Sequence, residues 1–260
     1  MIGSGENNMY SSILLTGGSG LLGRELRKIA SNPDSNIEYV APSSKELNIT
    51  IPENIDKFVE KNVEWLSDLT TLVHCAAWTD VPGAEIQKEK VIESNIIGTK
   101  YMRQLCKNFN YRFVYISTDY VYPGINGNYK ETDLTHPINF YSFTKLAGEA
   151  YVNRPDYGDL IIRTSFKPSK WEFTKAFDDI YTSADYIDII AKKISFLIEH
   201  RAEGIYNVGT ERKSIYELAL RRNTTVLPMS RKDITNVNLP QDVSMNLDKY
   251  NMFYNNPVED

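Results

Sequence analysis

A glycine-rich turn near the start of the chain is the feature that most restricts its fold. Gly17, Gly20 and Gly23 have the spacing G-x-x-G-x-x-G between a short apolar segment, residues 12–16, and an amphipathic one, residues 21–30. Such a turn brings backbone N–H groups and a helix N-terminus against a pyrophosphate. We therefore predict a dinucleotide site, with Gly17 and Gly20 permitting the turn and Gly23 letting the helix pack on the strand. A P-loop is excluded because no Lys-Ser or Lys-Thr pair follows the last glycine.

Short apolar segments alternate with amphipathic ones along most of the chain. Strands are predicted at residues 12–16, 37–41, 69–75, 112–117, 160–164 and 204–208, and helices at 21–30, 51–61, about 84–109, 141–153, 185–200 and 214–222. This alternation is typical of β-α units around a parallel sheet. The sequence therefore predicts an α/β fold, a Rossmann-type doubly wound parallel sheet with a small C-terminal substrate-binding cap.

The same pattern suggests how the chain is divided. We expect residues 10–165 to form the dinucleotide-binding core, completed by the helix and strand at about 185–208. Residues 166–184 and 209–260 then form the substrate cap. Residues 1–10 are polar and lack the apolar stretch of a signal peptide, so we expect a loose leader.

Composition argues against several classes of protein. A formal net charge of -5 gives no electrostatic reason to bind nucleic acid or an anionic membrane. Two cysteines suit a reducing compartment, and the three histidines lack metal-ligand spacing, so we predict no metal site. No apolar run reaches the roughly 20 residues of a membrane span. We therefore expect a cytoplasmic protein.

The end of the second predicted strand bears on the choice of dinucleotide. Residues 41–45 read Ala-Pro-Ser-Ser-Lys, with no carboxylate to repel a ribose 2′-phosphate. Ser43, Ser44 and Lys45 could instead donate hydrogen bonds to that phosphate. The segment favours NADP(H). NAD(H) stays an alternative, because an ordinary turn here would accept either cofactor.

A tyrosine and a lysine one helical turn apart suggest the chemistry. Tyr141 and Lys145 form the only Tyr-x-x-x-Lys pair in the sequence, on one face of a predicted helix. Reduction of a ketone by hydride transfer puts negative charge on the carbonyl oxygen, which needs a proton donor. Tyr141 is the candidate donor, and Lys145 and an oxidised nicotinamide would lower its pKa. Thr118, at the end of a strand, is the candidate to orient the substrate oxygen.

These residues lie in blocks that resemble one known family, the extended short-chain dehydrogenases/reductases of the dTDP-4-dehydrorhamnose reductase branch. The blocks are TGGSGLLG (16–23), HCAAWTDVPGAE (74–85), RFVYISTDYVYPG (112–124), ETD (131–133), YSFTKLAGE (141–149), RTS (163–165) and GIYNVG (204–209). They occur in the family's order and cover roughly residues 12 to 210. The glycine turn is widely shared, whereas S-T-D-Y-V-Y-x-G and Y-x-x-T-K-L-A-G-E are specific to this branch.

The resemblance implies an NADP(H)-dependent reductase of a nucleotide-linked 4-keto-6-deoxysugar, in some members a homodimer. Its implied catalytic triad is Thr118, Tyr141 and Lys145. The glycines and Ser43 are already predicted to contact the cofactor. The resemblance adds to them Leu21, Leu22, Asn48, Ile49, Ala76, Ala77, Trp78, Ile116, Tyr141 and Lys145. The residues it places at the substrate, besides Thr118, are Asp119 and Phe166.

Departures from the family pattern leave other activities open. Phe166 stands where the family usually has Trp, Asn48 where it more often has Asp, and the segment after residue 165 is short. A sugar-nucleotide epimerase or dehydratase of the same family is one alternative. Tyr120 follows Asp119 where dehydratases use Glu, which argues against elimination. The other alternative is a non-catalytic regulatory subunit on the same fold. The regulatory subunit of methionine adenosyltransferase resembles this family in that way.

Overall fold

The computed structural model describes residues 11–152 and 157–257. Its strands are β1 (Ser11–Thr16), β2 (Ile37–Val40), β3 (Thr71–His74), β4 (Arg112–Thr118), β5 (Leu160–Thr164), β6 (Phe166–Lys167), β7 (Lys175–Phe177), β8 (Tyr181–Thr182), β9 (Asp185–Tyr186), β10 (Gly204–Val208), β11 (Lys213–Ser214) and β12 (Leu227–Met229). Its α-helices are α1 (Leu21–Ala30), α2 (Pro52–Leu66), α3 (Val81–Ile86), α4 (Lys88–Ile92), α5 (Gly98–Phe109), α6 (Phe140–Val152), α7 (Ile187–Glu199), α8 (Ile215–Leu220) and α9 (Asp248–Asn255).

Six of these strands form one parallel sheet in the order β10-β5-β4-β3-β1-β2. The chain goes from β1 outward to β2 and then crosses back to β3 on the other side of β1. Strand order therefore reverses between β1 and β3, and ligands of such sheets bind beyond the carboxyl ends of the strands at that point. The predicted Rossmann-type doubly wound fold is confirmed.

The strands are apolar on both faces because helices cover both. On β1, Ile13 and Leu15 belong to the core cluster that contains α1 and α7, whereas Leu14 belongs to the cluster that contains α2 and α5. On β4 and β5 the buried residues alternate between the same two clusters. A strand buried on both faces has no polar face to alternate with, which is why these segments are continuous apolar runs in the sequence.

The helix predicted at about 84–109 is wrong in its continuity. The structure has three α-helices over this region, with a π-helical turn, Glu93–Ile97, between α4 and α5. Gln87 breaks the first junction with φ -105° and ψ 47°, and Asp80 caps α3 by accepting from the Gly83 amide. Apolar periodicity survives such breaks, so the sequence pattern did not reveal them.

Other element boundaries differ by a few residues. The helix predicted at 51–61 continues to Leu66, and that predicted at 185–200 begins at Ile187, because residues 185–186 pair with β6 as a short strand. Ser214 caps α8 with Glu217 in a capping box. Residues 1–10 and Asn153, the expected leader and helix end, lie outside the described residues.

A smaller unit of short strands follows the sheet and has its own core. Its buried side chains are Trp171, Ala176, Ile180, Ala184, Tyr186, Ile215, Leu218, Ala219 and Val226. Helix α9, by contrast, packs on the large sheet, because Tyr250 is buried in the core cluster on that side. The sequence had placed this last segment with the cap. Within the described ranges no helix is long and apolar enough to cross a membrane.

Candidate active site

The glycine turn takes the shape that the sequence predicts at the switch point of the sheet. Gly17 has φ +71°, and a Cβ on it would lie 2.6 Å from the Ala76 nitrogen just after β3. A Cβ on Gly23 would lie 2.4 Å from the Gly17 carbonyl oxygen. Gly23 thus packs helix α1 on the turn itself rather than on the strand. Only glycine fits both positions, which keeps the backbone open toward a ligand.

Helix α1 presents an N-terminus suited to an anion. Gly20 is its N-cap, no side chain caps it, and its first turn carries no acidic residue. Leu22 is buried in the core at 4% exposure, so only its backbone can face a pyrophosphate, while Leu21 is partly buried. Free N–H groups and the positive end of the helix dipole together favour a phosphate. These residues therefore fit the diphosphate of a dinucleotide.

The segment after β3 is held in place by one buried asparagine. The Trp78 amide donates to Asn95 Oδ1 over 2.7 Å, and Asn95 Nδ2 donates to the Trp78 carbonyl at 3.2 Å and to Thr144 Oγ1 at 3.0 Å. Asn95 therefore ties the strip Ala76–Ala77–Trp78 to helix α6. Sequence reasoning missed this residue, because only the folded chain brings Trp78 and Thr144 to it. Asn95 lies in the π-helical turn, and such turns often occur at functional sites.

Thr118 and Tyr141 come together from β4 and α6. The phenol of Tyr141 lies near the Thr118 hydroxyl. Burial raises the pKa of Tyr141, the nearby Asp119 carboxylate raises it further, and the contact with Thr118 partly offsets both. The sequence argument expected a lowered pKa, but the chain by itself keeps this phenol protonated. A protonated phenol is the form that can donate to a carbonyl oxygen.

Lys145 lies one helical turn from Tyr141 and is almost fully buried, at 3% exposure. Its ammonium lies 4.1 Å from the centre of the Tyr115 ring and makes no hydrogen bond or ion pair within the described residues. Burial lowers the pKa of Lys145 to about 7, against the smaller raising effects of Glu149 and Cys75. A buried ammonium with three donors and no acceptor fits a ligand rich in hydroxyl groups, such as the ribose of a dinucleotide.

Asp119 is buried beside the triad rather than exposed to a cleft. Its Oδ1 accepts from Thr118 Oγ1 at 3.2 Å and its Oδ2 accepts from Thr182 Oγ1 at 3.1 Å. Burial raises the pKa of Asp119 to about 7, opposed by those two hydrogen bonds and by Lys167. The carboxylate thus links Thr118 to Thr182 on strand β8. Its predicted contact with a sugar hydroxyl stays a prediction.

The two residues of β6, Phe166 and Lys167, follow β5 on the side of the sheet where Asp119 lies. Phe166 is half-buried and packs against the sheet's core. Lys167 is half-buried too, burial lowers its pKa, and Asp119 raises it, so its ammonium lies near the carboxylate. No hydrogen bond or ion pair to another described residue holds this ammonium. A cation without a fixed partner at this edge of the sheet is available to an anionic substrate.

The residues predicted to lie near the adenosine have local partners of their own. Asn48 Oδ1 accepts from the amide and the hydroxyl of Thr50, and Ile49 packs in the core against Gly98. Ser43 follows β2, and its amide and hydroxyl both donate to the carboxylate of Glu46 at 2.8 Å. A carboxylate is therefore present where the sequence pattern indicated none.

A buried ion pair fixes the helix that carries Tyr141 and Lys145. Arg163 on β5 donates to both carboxylate oxygens of Glu149, at 3.1 and 2.8 Å. Ser117, next to Thr118, donates to the same carboxylate at 2.5 Å. Helix α6 is thereby tied to β4 and β5 behind the triad, and the close approach of Gly148 to the Tyr115 hydroxyl brings it against the sheet.

Comparison with known proteins agrees with this architecture. The family described as the RmlD substrate binding domain matches residues 11–196. A dTDP-4-keto-6-deoxy-D-glucose reductase of Streptomyces niveus is 31% identical over 212 residues, which are 75% of this chain and 71% of that protein. A dTDP-4-dehydrorhamnose reductase of Aggregatibacter actinomycetemcomitans is 28% identical over 185 residues, 70% of this chain but only 61% of that relative's length.

The fold comparison covers nearly the whole chain. The crystal structure of dTDP-4-dehydrorhamnose reductase from Bacillus anthracis str. Ames in complex with NADP has a TM-score of 0.81 and 25% identity, over 96% of this chain and 95% of that one. The match to the family extends from the first strand through most of α7, and so includes the glycine turn, the Thr118–Tyr141–Lys145 triad and the Arg163–Glu149 pair. On this ground the chain belongs to the RmlD substrate-binding-domain family.

Proposed function

We propose that this chain is an NADPH-dependent reductase of the 4-keto group of a nucleotide-linked 6-deoxysugar. The observation that carries the proposal is the convergence of Thr118, Tyr141 and Lys145 at the carboxyl end of the sheet, where the Lys145 ammonium has no hydrogen-bond acceptor among the described residues. The names of the two relatives supply the substrate class, and the NADP complex of the Bacillus anthracis protein supports the cofactor. NADH stays the alternative cofactor.

The chain's own groups divide the work of such a reduction. Bound NADPH would supply the hydride for the keto carbon. Tyr141, kept protonated by burial, gives its proton to the carbonyl oxygen as negative charge develops there. Thr118 now donates to Asp119 and accepts from the Tyr120 amide, and its hydroxyl can rotate to orient the substrate oxygen. The Lys145 ammonium holds the ribose and stabilises the phenolate that remains.

The substrate would lie between the triad and the cap. Asp119 and Phe166 are the proposed contacts to the sugar, and Thr182 joins the cap to Asp119. Lys167 is the proposed cation for the diphosphate that links sugar and nucleotide. In this proposal the cap contacts the substrate through the short segment from β6 to β9, which follows β5. The choice of nucleotide therefore depends on residues of that segment.

The proposed enzyme would act in the cytoplasm. Its two cysteines, Cys75 and Cys106, are both free, which suits a reducing compartment.

The proposed enzyme could also pair with a second copy of the chain. Phe143 on α6 is 51% exposed and Ile92 on α4 is 37% exposed, so these helices offer apolar surface. Light scattering of the purified protein measures whether the mass in solution is that of one chain or two.

An assay of NADPH oxidation against a panel of dTDP-, UDP- and GDP-linked 4-keto-6-deoxysugars tests the function. We expect oxidation of one molecule of NADPH for each sugar reduced, with one nucleotide preferred. Co-purification of tightly bound oxidised dinucleotide, with conversion of a sugar and no net oxidation, would favour the epimerase instead. Cofactor binding with no turnover on any sugar of the panel would contradict the reductase and favour a regulatory subunit.

A further inference from the structure

The end of β2 lies beside the glycine turn, where the adenosine ribose of a dinucleotide is bound in folds of this kind. A Cβ on Gly18 would be only 2.6 Å from the Ala41 Cβ, so the turn and the strand end touch. Ser43 follows two residues later and is exposed. Groups at this strand end distinguish a ribose 2′-hydroxyl from a 2′-phosphate, because a carboxylate accepts from the first and repels the second.

The carboxylate of Glu46 occupies both donors that Ser43 could offer to a phosphate. The Ser43 amide and hydroxyl each donate to Glu46 Oε2 over 2.8 Å. These two hydrogen bonds, and Lys61 more weakly, lower the pKa of Glu46, so it is ionised at neutral pH. The side chain is exposed, and nothing but Ser43 among the described residues donates a hydrogen bond to it. It can therefore move aside, or it can accept from a ribose hydroxyl.

The side chain of one cation, Arg27, lies against the same glycine turn. The Cδ of Arg27, on helix α1, is 3.7 Å from the position of a Cβ on Gly18. Arg27 is exposed, and its guanidinium makes no hydrogen bond or ion pair within the described residues. Because Gly18 has no side chain, the guanidinium can reach the space above the turn. An arginine at this place favours a 2′-phosphate.

We propose that Glu46 is the residue that limits the preference for NADPH over NADH, and that Arg27 is the residue that supplies it. Glu46 repels a 2′-phosphate and withholds the Ser43 donors, whereas it accepts a hydrogen bond from the ribose of NADH. Arg27 attracts the phosphate and gains nothing from a hydroxyl. The two side chains act in opposite directions, and the chain therefore binds both cofactors. This inference rests on the proposed function, since it assumes a dinucleotide in the cleft.

Fluorescence titration of NADPH and NADH into the purified protein, with no sugar present, tests the proposal. The quantity measured is the ratio of the NADH dissociation constant to the NADPH dissociation constant. In Glu46→Gln we expect this ratio to rise roughly five- to tenfold, because a repulsive charge near the phosphate is gone. In Arg27→Ala we expect it to fall by roughly tenfold, with NADH binding nearly unchanged.

Matched controls separate these effects from a general change of charge. Glu38→Gln removes an exposed carboxylate from β2, the strand that precedes Glu46, and Lys28→Ala removes an exposed cation from α1, the helix that carries Arg27. Both should leave the ratio within twofold of that of the unaltered chain. A Glu46→Gln ratio no larger than the Glu38→Gln ratio overturns the role of Glu46, and an Arg27→Ala ratio equal to the Lys28→Ala ratio overturns that of Arg27.

The same titration distinguishes failure of this inference from failure of the proposed function. If the unaltered chain binds neither cofactor, the reductase proposal and the inference both fall. If it binds both cofactors and the ratio does not respond to the two substitutions, only the inference falls. Melting temperatures of all four variants, measured beside the titrations, identify any that are not folded.

Discussion

The ammonium of Lys145 lies over the Tyr115 ring, 4.1 Å from its centre, and has no acceptor among the described residues. This arrangement stabilises a cation less than a carboxylate would, and burial lowers the pKa of Lys145 to about 7. The chain thus keeps at its centre a donor group that is useful mainly to a ligand. Buried titratable groups with a strongly shifted pKa often occur at functional sites, where a protein gives up folding stability for ligand binding.

Lys145→Met should weaken NADPH binding by at least tenfold while leaving the free chain folded. The folded-state pKa is lowered from 10.5 to about 7, so between these values the unfolded chain binds the proton and the folded chain does not. Stability of the unaltered chain therefore rises with pH across this window, and the variant should lack that rise. Melting temperatures of both proteins from pH 7 to 9.5 measure it. If the melting temperatures of the two proteins depended equally on pH, the lowered pKa of Lys145 would be contradicted.

Gly17→Ala should abolish dinucleotide binding and destabilise the chain. Its φ of +71° is strained for alanine, and its Cβ would lie 2.6 Å from the Ala76 nitrogen. We expect a loss of at least about 1 to 2 kcal/mol in the free energy of unfolding from the backbone alone. Gly20→Ala is the matched control, because the nearest atom would be 3.2 Å away and φ is -70°. Denaturant titration that ranks Gly20→Ala as the more damaging change would refute this reading.

Much of this site follows from local sequence signals. The turn at Gly17 and the pairing of Tyr141 with Lys145 depend on spacing within one turn or one helix, where a few residues fix the geometry. Glu46 and Asn95 act differently. Glu46 lies one residue beyond the segment 41–45 from which the sequence predicts the cofactor, and its contact with Ser43 forms in the folded turn. Asn95 acts through Trp78 and Thr144, which only the folded chain brings to it.

The fold shows the same division between local and long-range information. Parallel strands buried on both faces are recognisable as apolar runs, and all six strands of the sheet were predicted. The break of the long helix at Gln87 was not, because an amphipathic pattern continues across it. Residues 185–186 form a strand only by pairing with β6, which no local pattern in the sequence records.

Tyr141→Phe should lower turnover by about two to four powers of ten and affect NADPH binding far less. The substitution removes only the hydroxyl, and the remaining ring keeps its packing. Tyr120→Phe is the control, because its phenol lies near Asp119 and Tyr141 but has no assigned part in proton transfer. We expect the control to retain turnover within about threefold. Steady-state rates of NADPH oxidation with the best sugar of the panel compare the two variants, and near-normal turnover by Tyr141→Phe would remove it from the proton-donor role.

Asp119→Asn should change how stability depends on pH. The folded-state pKa of Asp119 is raised from 3.8 to about 7, so between those values the folded chain holds a proton that the unfolded chain has lost. This group therefore makes the unaltered chain less stable as pH rises from about 4 to 7, and the amide removes that loss. The melting temperature of the variant should gain on that of the unaltered chain from pH 4.5 to 7.5. A constant difference over this range would show that Asp119 is ionised throughout.

Lys167→Met should raise the KM for the nucleotide sugar and leave NADPH binding unchanged. The ammonium lies near Asp119 and has no hydrogen-bond acceptor among the described residues, so a substrate diphosphate can approach it without breaking an existing ion pair. A charge-assisted contact to a phosphate is typically worth about 1.5 to 3 kcal/mol, which corresponds to roughly a 10- to 150-fold change in KM. Lys170→Met is the control, since Lys170 is exposed three positions further along the same segment. Since removal of uniform binding raises KM with kcat preserved, a loss confined to kcat in Lys167→Met would instead assign this lysine to the chemical step.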